Sequence, residues 1–168
     1  MTTSSNILLI DDDEDFANLV SISLSRAGHL IECAHSGSAA LELIATGRFK
    51  VVLVDLKMGD ATGRSWSFAG LNLCRLIRQL PDGDHPRIVI LTGNRNRQNL
   101  SIYFANGADD LVLKDDGFDV LAQRVAYWRR DNRGDRERQE RRQALASEIE
   151  ASQRAAYLPI GAHLHNSP

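Results

Sequence analysis

An open α/β fold, five parallel strands with helices on both faces, is what this sequence predicts, and three observations predict it. The runs Ile7-Leu8-Leu9-Ile10, Val51-Val52-Leu53-Val54 and Arg87-Ile88-Val89-Ile90-Leu91 are almost continuously apolar, as strands buried on both faces must be. They alternate at short intervals with helix-period segments, the pattern of a parallel sheet covered by its own crossovers. The runs also end on polar side chains: Asp11 and Asp12, then Asp55, then Thr92, with Lys114 following Leu111-Val112-Leu113. Ligands of open α/β sheets bind outside the carboxyl ends of the strands, so one edge gathers three carboxylates, a hydroxyl and an ammonium.

The helices follow in order. The first sets Phe16, Leu19, Val20, Leu24 and Ala27 on one stripe and stops at Gly28; the second covers about 38–46 and stops at Gly47. The third covers about 71–80, ahead of Pro81-Asp82-Gly83-Asp84, and the fourth about 97–106, closed by Gly107. The fifth begins near Phe118, and its Phe118, Leu121, Val125 and Trp128 form a face for packing on a sheet. This (βα)5 pattern fills residues 1–128 and leaves 129–168 as a C-terminal helical extension.

The chain of 168 residues has room for one domain of ordinary size with that extension, and its 43% hydrophobic content supports a core. Net charge is −2, unevenly divided: residues 1–116 hold 11 Lys and Arg against 15 Asp and Glu, and residues 117–168 hold 9 against 7. The acidic excess lies in the part that carries the strand-end carboxylates. Cys33 and Cys74, without Cys-x-x-Cys spacing, read as two reduced, buried thiols. The opening Met1-Thr2-Thr3-Ser4-Ser5 has neither a basic nor an apolar leader region, and no run approaches a membrane span. A cytoplasmic protein is expected.

Carboxylates held about 5 Å apart repel by roughly 3 kcal/mol per pair at an effective dielectric of 20, so three of them call for a cation. Hard oxygen donors without Cys or His suit Mg²⁺ rather than zinc.

Taken in order, Ile10-Asp11-Asp12-Asp13, Asp55-Leu56-Lys57-Met58, Leu91-Thr92-Gly93 and Gly107-Ala108-Asp109-Asp110-Leu111-Val112-Leu113-Lys114 resemble the receiver domain of bacterial two-component response regulators, over about residues 6–128. That family is recognised by an early acidic pair, a central phospho-accepting Asp, a Ser or Thr and a late Lys. The resemblance implies a flavodoxin-like fold. It implies that Asp55 takes a phosphoryl group from a histidine kinase or histidine phosphotransfer protein, with Asp12 and Asp55 binding Mg²⁺ directly, Asp11 through water, and the Lys57 backbone carbonyl adding an oxygen. Lys114 would supply a second positive charge, Thr92 a hydrogen bond to the phosphoryl oxygens, and Gly93 room for their approach. Such a protein catalyses only its own phosphorylation and dephosphorylation and signals through protein contacts.

The sequence departs from the family in three places. Gly59 stands where a Pro usually follows the phosphoacceptor, and the loop after it is long, 59–70, with Trp66 and Phe68 expected to fold back on the body. Leu111 replaces the usual aromatic residue three positions before the Lys. Asp115 replaces the Pro after it, and with Asp116 is expected to cap the next helix.

Residues 129–142 carry seven Arg against four acidic residues and nothing apolar, so this stretch is expected to project into solvent or fray rather than join the core. Its interleaved acids and lack of aromatics read as a solvated helix rather than a nucleic-acid surface. Beyond it Leu145, Ile149, Ala156 and Tyr157 form a weak stripe, suited to a short contact with a partner helix or a homodimer. The residues after Trp128 are few for a winged helix or a cyclase, so the chain reads as a stand-alone receiver or the front of a larger regulator. Two rivals were weighed. A haloacid dehalogenase-like aspartyl-phosphate phosphatase wants a second Asp where Lys57 stands, and a flavodoxin-like FMN binder would meet repulsion between the flavin phosphate and the carboxylates.

Overall fold

A computed structural model describes residues 6–59, 65–66, 69–81, 85–95, 100–130 and 135–156. Its main sheet is the expected one. Strands β1 (Ile7–Ile10), β2 (Ile31–Ala34), β3 (Val51–Asp55), β6 (Arg87–Thr92) and β7 (Asp110–Leu113) lie in the order β2-β1-β3-β6-β7, all parallel.

Side-chain alternation divides the core in two. Leu8, Ile10, Val52, Val54, Ile88 and Ile90 face the layer of α2 (Gly37–Ile44), α3 (Ala69–Gln79) and α4 (Leu100–Ala105). Ile7, Leu9, Val51, Leu53, Val89 and Leu91 face α1 (Glu14–Arg26) and α5 (Phe118–Arg130). The three central strands are therefore buried on both faces, which is why their sequences show no polar alternation.

Local signals set the helix ends. Asp13 caps α1 by accepting from the Phe16 N–H, and Ser36 caps α2 by accepting from the Ala39 N–H. Gly28 and Gly47 take φ of +81° and +70°, the left-handed conformation that closes a helix at little cost only with glycine. Along α1 the buried stripe is Ala17, Val20 and Leu24. Leu19, expected on that stripe, lies about 100° round the helix from Val20 and is 53% exposed. Cys74 is buried as expected, whereas Cys33 is only half-buried because β2 is an edge strand; both thiols are free.

Two features differ from the sequence reading. The long connection after β3 contains a small antiparallel hairpin, β4 (Met58–Gly59) with β5 (Ser65–Trp66). The side chains of Trp66 and Phe68, expected to fold back, lie outside the described residues. The described helix of the extension also does not project. It is α6 (Asp135–Ala156), which packs against α4 of the same chain with Arg142 and Ala146 buried and Leu145 and Ile149 half-buried. Of the stripe offered above to a dimer or a partner helix, Leu145 and Ile149 are half-buried, while Tyr157 and the Ala156 side chain lie outside the described residues; the stretch read as unable to join the core contributes the buried Arg142. Among the described residues no helix is long and apolar enough to cross a membrane.

Candidate functional site

In-register parallel pairing delivers the polar residues to one edge. Ile10 stands beside Val54, Asp55 beside Leu91, and Thr92 beside Leu113, so Asp11, Asp55, Thr92 and Lys114 leave neighbouring strands at nearly the same height. Carboxylate oxygens of Asp11, Asp12 and Asp55 lie within 4.8 Å of one another. Lys114 reaches into this cluster, its Nζ 2.9 Å from Asp11 Oδ2 and 3.3 Å from Asp55 Oδ1. The same ammonium sits 4.0 Å from the centroid of the Phe16 ring, whose negative face attracts it.

The acidic run after β1 divides its labour. Asp11 is fully buried and accepts from the Asp13 N–H at 3.0 Å through Oδ1, leaving Oδ2 for Lys114. Asp12 turns outward, and its Oδ2 accepts from the Gly59 N–H at 2.7 Å, tying the cluster to the hairpin. Asp13 is spent on the helix cap, and Glu14 and Asp15 lie in the first turn of α1, where the helix dipole favours them. Thr92 is buried, its Oγ1 accepting from the Asn94 N–H at 3.0 Å. The Lys57 side chain is exposed, while its N–H donates to the Asp55 carboxylate.

Electrostatics follow from this crowding. Burial, and then the neighbouring Asp11 charge, push the Asp55 carboxyl up to about 6, against the opposing pull of Lys114. Burial alone would lower the Lys114 ammonium, but the hydrogen bond it donates to Asp11 and the Asp55 and Asp11 charges outweigh it and hold it above the ordinary lysine value. One ammonium therefore does not fully neutralise the three carboxylates. The donors are hard oxygens, and the cluster holds neither Cys nor His; a divalent cation of the Mg²⁺ type fits that set.

Sequence reasoning missed several residues of the site. Phe16 read as a core position, yet its ring lies under Lys114. Exposed His35 places Nδ1 3.0 Å from the Asp11 carbonyl oxygen. Gly70, in the first turn of α3, lies so close to β3 that a Cβ there would collide with the Asp55 carbonyl, while a Cβ at Gly93 would meet nothing within 4 Å. The close approach at Gly70 had no sequence signal beyond the glycine itself. Leu111 borders a cavity of about 280 Å³ with Tyr103 and Phe104, and Tyr103 is the buried aromatic of this region. Asp115 pairs with Arg95 of the β6–α4 loop at 3.3 Å, a different partner from the helix cap expected of it.

A parallel five-stranded sheet with carboxylates, a hydroxyl and a lysine at its carboxyl edge defines a receiver. The response regulator receiver domain profile matches residues 7–126, and the chain belongs to that family. It is 33% identical over 122 residues to the response regulator MprA of Mycobacterium ulcerans (strain Agy99), covering 73% of this chain and 49% of that protein. It is 32% identical over 112 residues to the aerobic respiration control sensor protein ArcB of Escherichia coli (strain K12), covering 65% of this chain and 13% of that protein. The chain thus spans at most about half the length of these relatives. The signal receiver domain of a DNA-binding response regulator from Colwellia psychrerythraea 34H superposes with a TM-score of 0.64 at 25% identity, over 76% of this chain and all of that one. These comparisons give no support to the phosphatase alternative.

Proposed function

We propose that Asp55 is the phosphoacceptor and that Asp11, Asp12, Thr92, Lys57 and Lys114 form the machinery around it. The observation that carries this reading is the Lys114 ammonium standing between Asp11 and Asp55 at the open edge of the sheet. The donor is a phosphohistidine on a histidine kinase or histidine phosphotransfer protein. An Asp55 oxygen attacks phosphorus, the P–N bond breaks as the P–O bond forms, and the imidazole leaves, giving an acyl phosphate. Asp12, Asp55 and the Lys57 carbonyl, with Asp11 through water, would hold a Mg²⁺ ion, which would supply positive charge to the transferring group. Lys114 adds a second positive charge, and the Thr92 hydroxyl donates to a phosphoryl oxygen. Because Asp55 is raised only to about 6, it is ionised at neutral pH and available as a nucleophile.

The chain works in the cytoplasm as a signalling module whose catalysis is confined to its own phosphorylation and dephosphorylation. Residues 1–128 form the receiver and 129–168 its extension. Phosphorylation is passed on through protein contacts. Incubation with acetyl phosphate and Mg²⁺ followed by intact mass tests the reading: one phosphoryl group should be added, and none to Asp55→Asn. Modification of that variant at another carboxylate would overturn the assignment.

A further inference from the structure

We propose that α6 is a detachable cover on the α4 face, latched by Arg142 on Asp109, and that phosphorylation of Asp55 releases it. The inference rests on the receiver reading above and adds to it the regulation of one surface.

The latch is asymmetric. Asp109, buried just ahead of β7, uses Oδ2 to accept from the Ile88 N–H at 2.9 Å and from Arg78 Nη2 at 2.7 Å. Its Oδ1 accepts from Arg142 Nη1 at 2.9 Å. Arg78 is further fixed by the Gly107 and Pro86 carbonyls. Withdrawal of Arg142 would leave Asp109 with both of its partners on the body and turn Oδ1 toward the water that replaces α6. The body does not need α6 to keep this carboxylate satisfied.

The cover packs through one face of α6. Arg142, Leu145, Ala146 and Ile149 follow the i, i+3, i+4, i+7 spacing of one helix face, and among the described side chains of α6 Arg142 and Ala146 are buried while Leu145 and Ile149 are half-buried. Arg141 adds a contact 5.7 Å from the centroid of the Trp128 ring. A modification moves an equilibrium by its differential contacts with the two states, so what decides release is how the site bears on the seat and the anchor of α6.

Two lines run from the site to this interface. Thr92 accepts from the Asn94 N–H on the chain between β6 and α4, so drawing its hydroxyl toward Asp55 bears on the chain that carries α4. Lys114 directly follows β7, whose first residue, Asp110, adjoins Asp109, so its movement toward a phosphoryl group is felt at the latch. Both displacements bear on the two groups that hold α6, its seat on α4 and its anchor on Asp109.

Hydrogen exchange of the full chain tests this, with and without beryllofluoride and Mg²⁺, alongside the intact-mass assay with acetyl phosphate. Activation should speed exchange in residues 135–156 and 100–108 by roughly tenfold or more, with β1 and β3 unchanged. Arg142→Gln should produce the same acceleration without activation, as should Ala146→Glu, which crowds the interface without touching Asp109. Gained protection around residues 55–59 with α6 unchanged would overturn the inference and leave the receiver reading intact. Loss of protection across the sheet in both variants would make α6 a fixed part of the core and overturn it too. A chain that takes no phosphoryl group and shows no change near Asp55 fails the receiver reading and this inference with it.

Discussion

Lys114 makes its shorter carboxylate contact with Asp11, at 2.9 Å, and its longer one with Asp55, at 3.3 Å. The fully buried Asp11 therefore anchors the lysine, and Asp55 shares it. Lys114→Met should destabilise the fold by about 2–4 kcal/mol, because it leaves a buried carboxylate without its ion-pair partner. Combining it with Asp11→Asn should recover at least about 1 kcal/mol relative to the sum of the single losses. Urea denaturation of the four chains measures the coupling, and strictly additive losses would count against it.

Stability without metal should depend on pH through Asp55. Its carboxyl is raised to about 6 in the folded protein, against about 3.9 when unfolded. Between those values the native state keeps a proton that the unfolded chain has released, so stability falls as pH rises from about 4 to about 6 and levels off above. Asp55→Asn should flatten that fall and be the more stable chain at pH 7. Denaturation in chelator across this range decides it; identical slopes for parent and variant would place the titration elsewhere.

Gly70 and Gly93 flank the site but differ in space. In a helix, Gly→Ala by itself stabilises by roughly 0.5–1 kcal/mol. At Gly70 the added methyl meets the Asp55 carbonyl and α3 must shift, so a net loss of about 1–3 kcal/mol is expected. Gly93→Ala should stay within about 1 kcal/mol of the parent. Thermal unfolding of the two variants checks the contrast.

Asp12 should matter more to metal binding than its acidic neighbours. Asp12→Ala should weaken Mg²⁺ binding by roughly tenfold or more, whereas Asp15→Ala, whose carboxylate sits in the first turn of α1, should change it less than about twofold. The Asp12 variant should also loosen the hairpin, since the Gly59 N–H loses its 2.7 Å acceptor. Calorimetric titration and exchange at Gly59 read the two effects; equal losses at Asp12 and Asp15 would mean a diffuse acidic patch.

The sheet and its edge were legible because each central strand is a short apolar run that stops on a polar residue, a signal that depends on neighbours in sequence alone. Asp11, Asp12, Asp55, Thr92 and Lys114 could be listed in that way. The hairpin could not, since strands of two residues such as Met58–Gly59 carry no periodicity. Arg142 read as a solvated charge because its partner, Asp109, lies 33 positions earlier and its own neighbours are polar. Phe16 was legible as apolar, but its placement under Lys114 depends on how α1 meets β7 and α5, with Phe118 at 6.3 Å between ring centroids. Sequence spacing predicts which face an element buries; it carries much less about what that face meets.

The strand order β2-β1-β3-β6-β7 also bears on how the chain is made. Chains fold as they emerge, N-terminal part first, and distant pairings come late. The bond from Lys114 to Asp11 spans 103 positions, so a nascent chain that ends before β7 holds its strand-end acids without their lysine. β7 pairs only with β6 and is an edge strand, so it can be added from outside without parting strands already joined. The same late step completes the sheet and brings the lysine to the acids, so the charge balance of the carboxyl edge is set only when the last strand arrives.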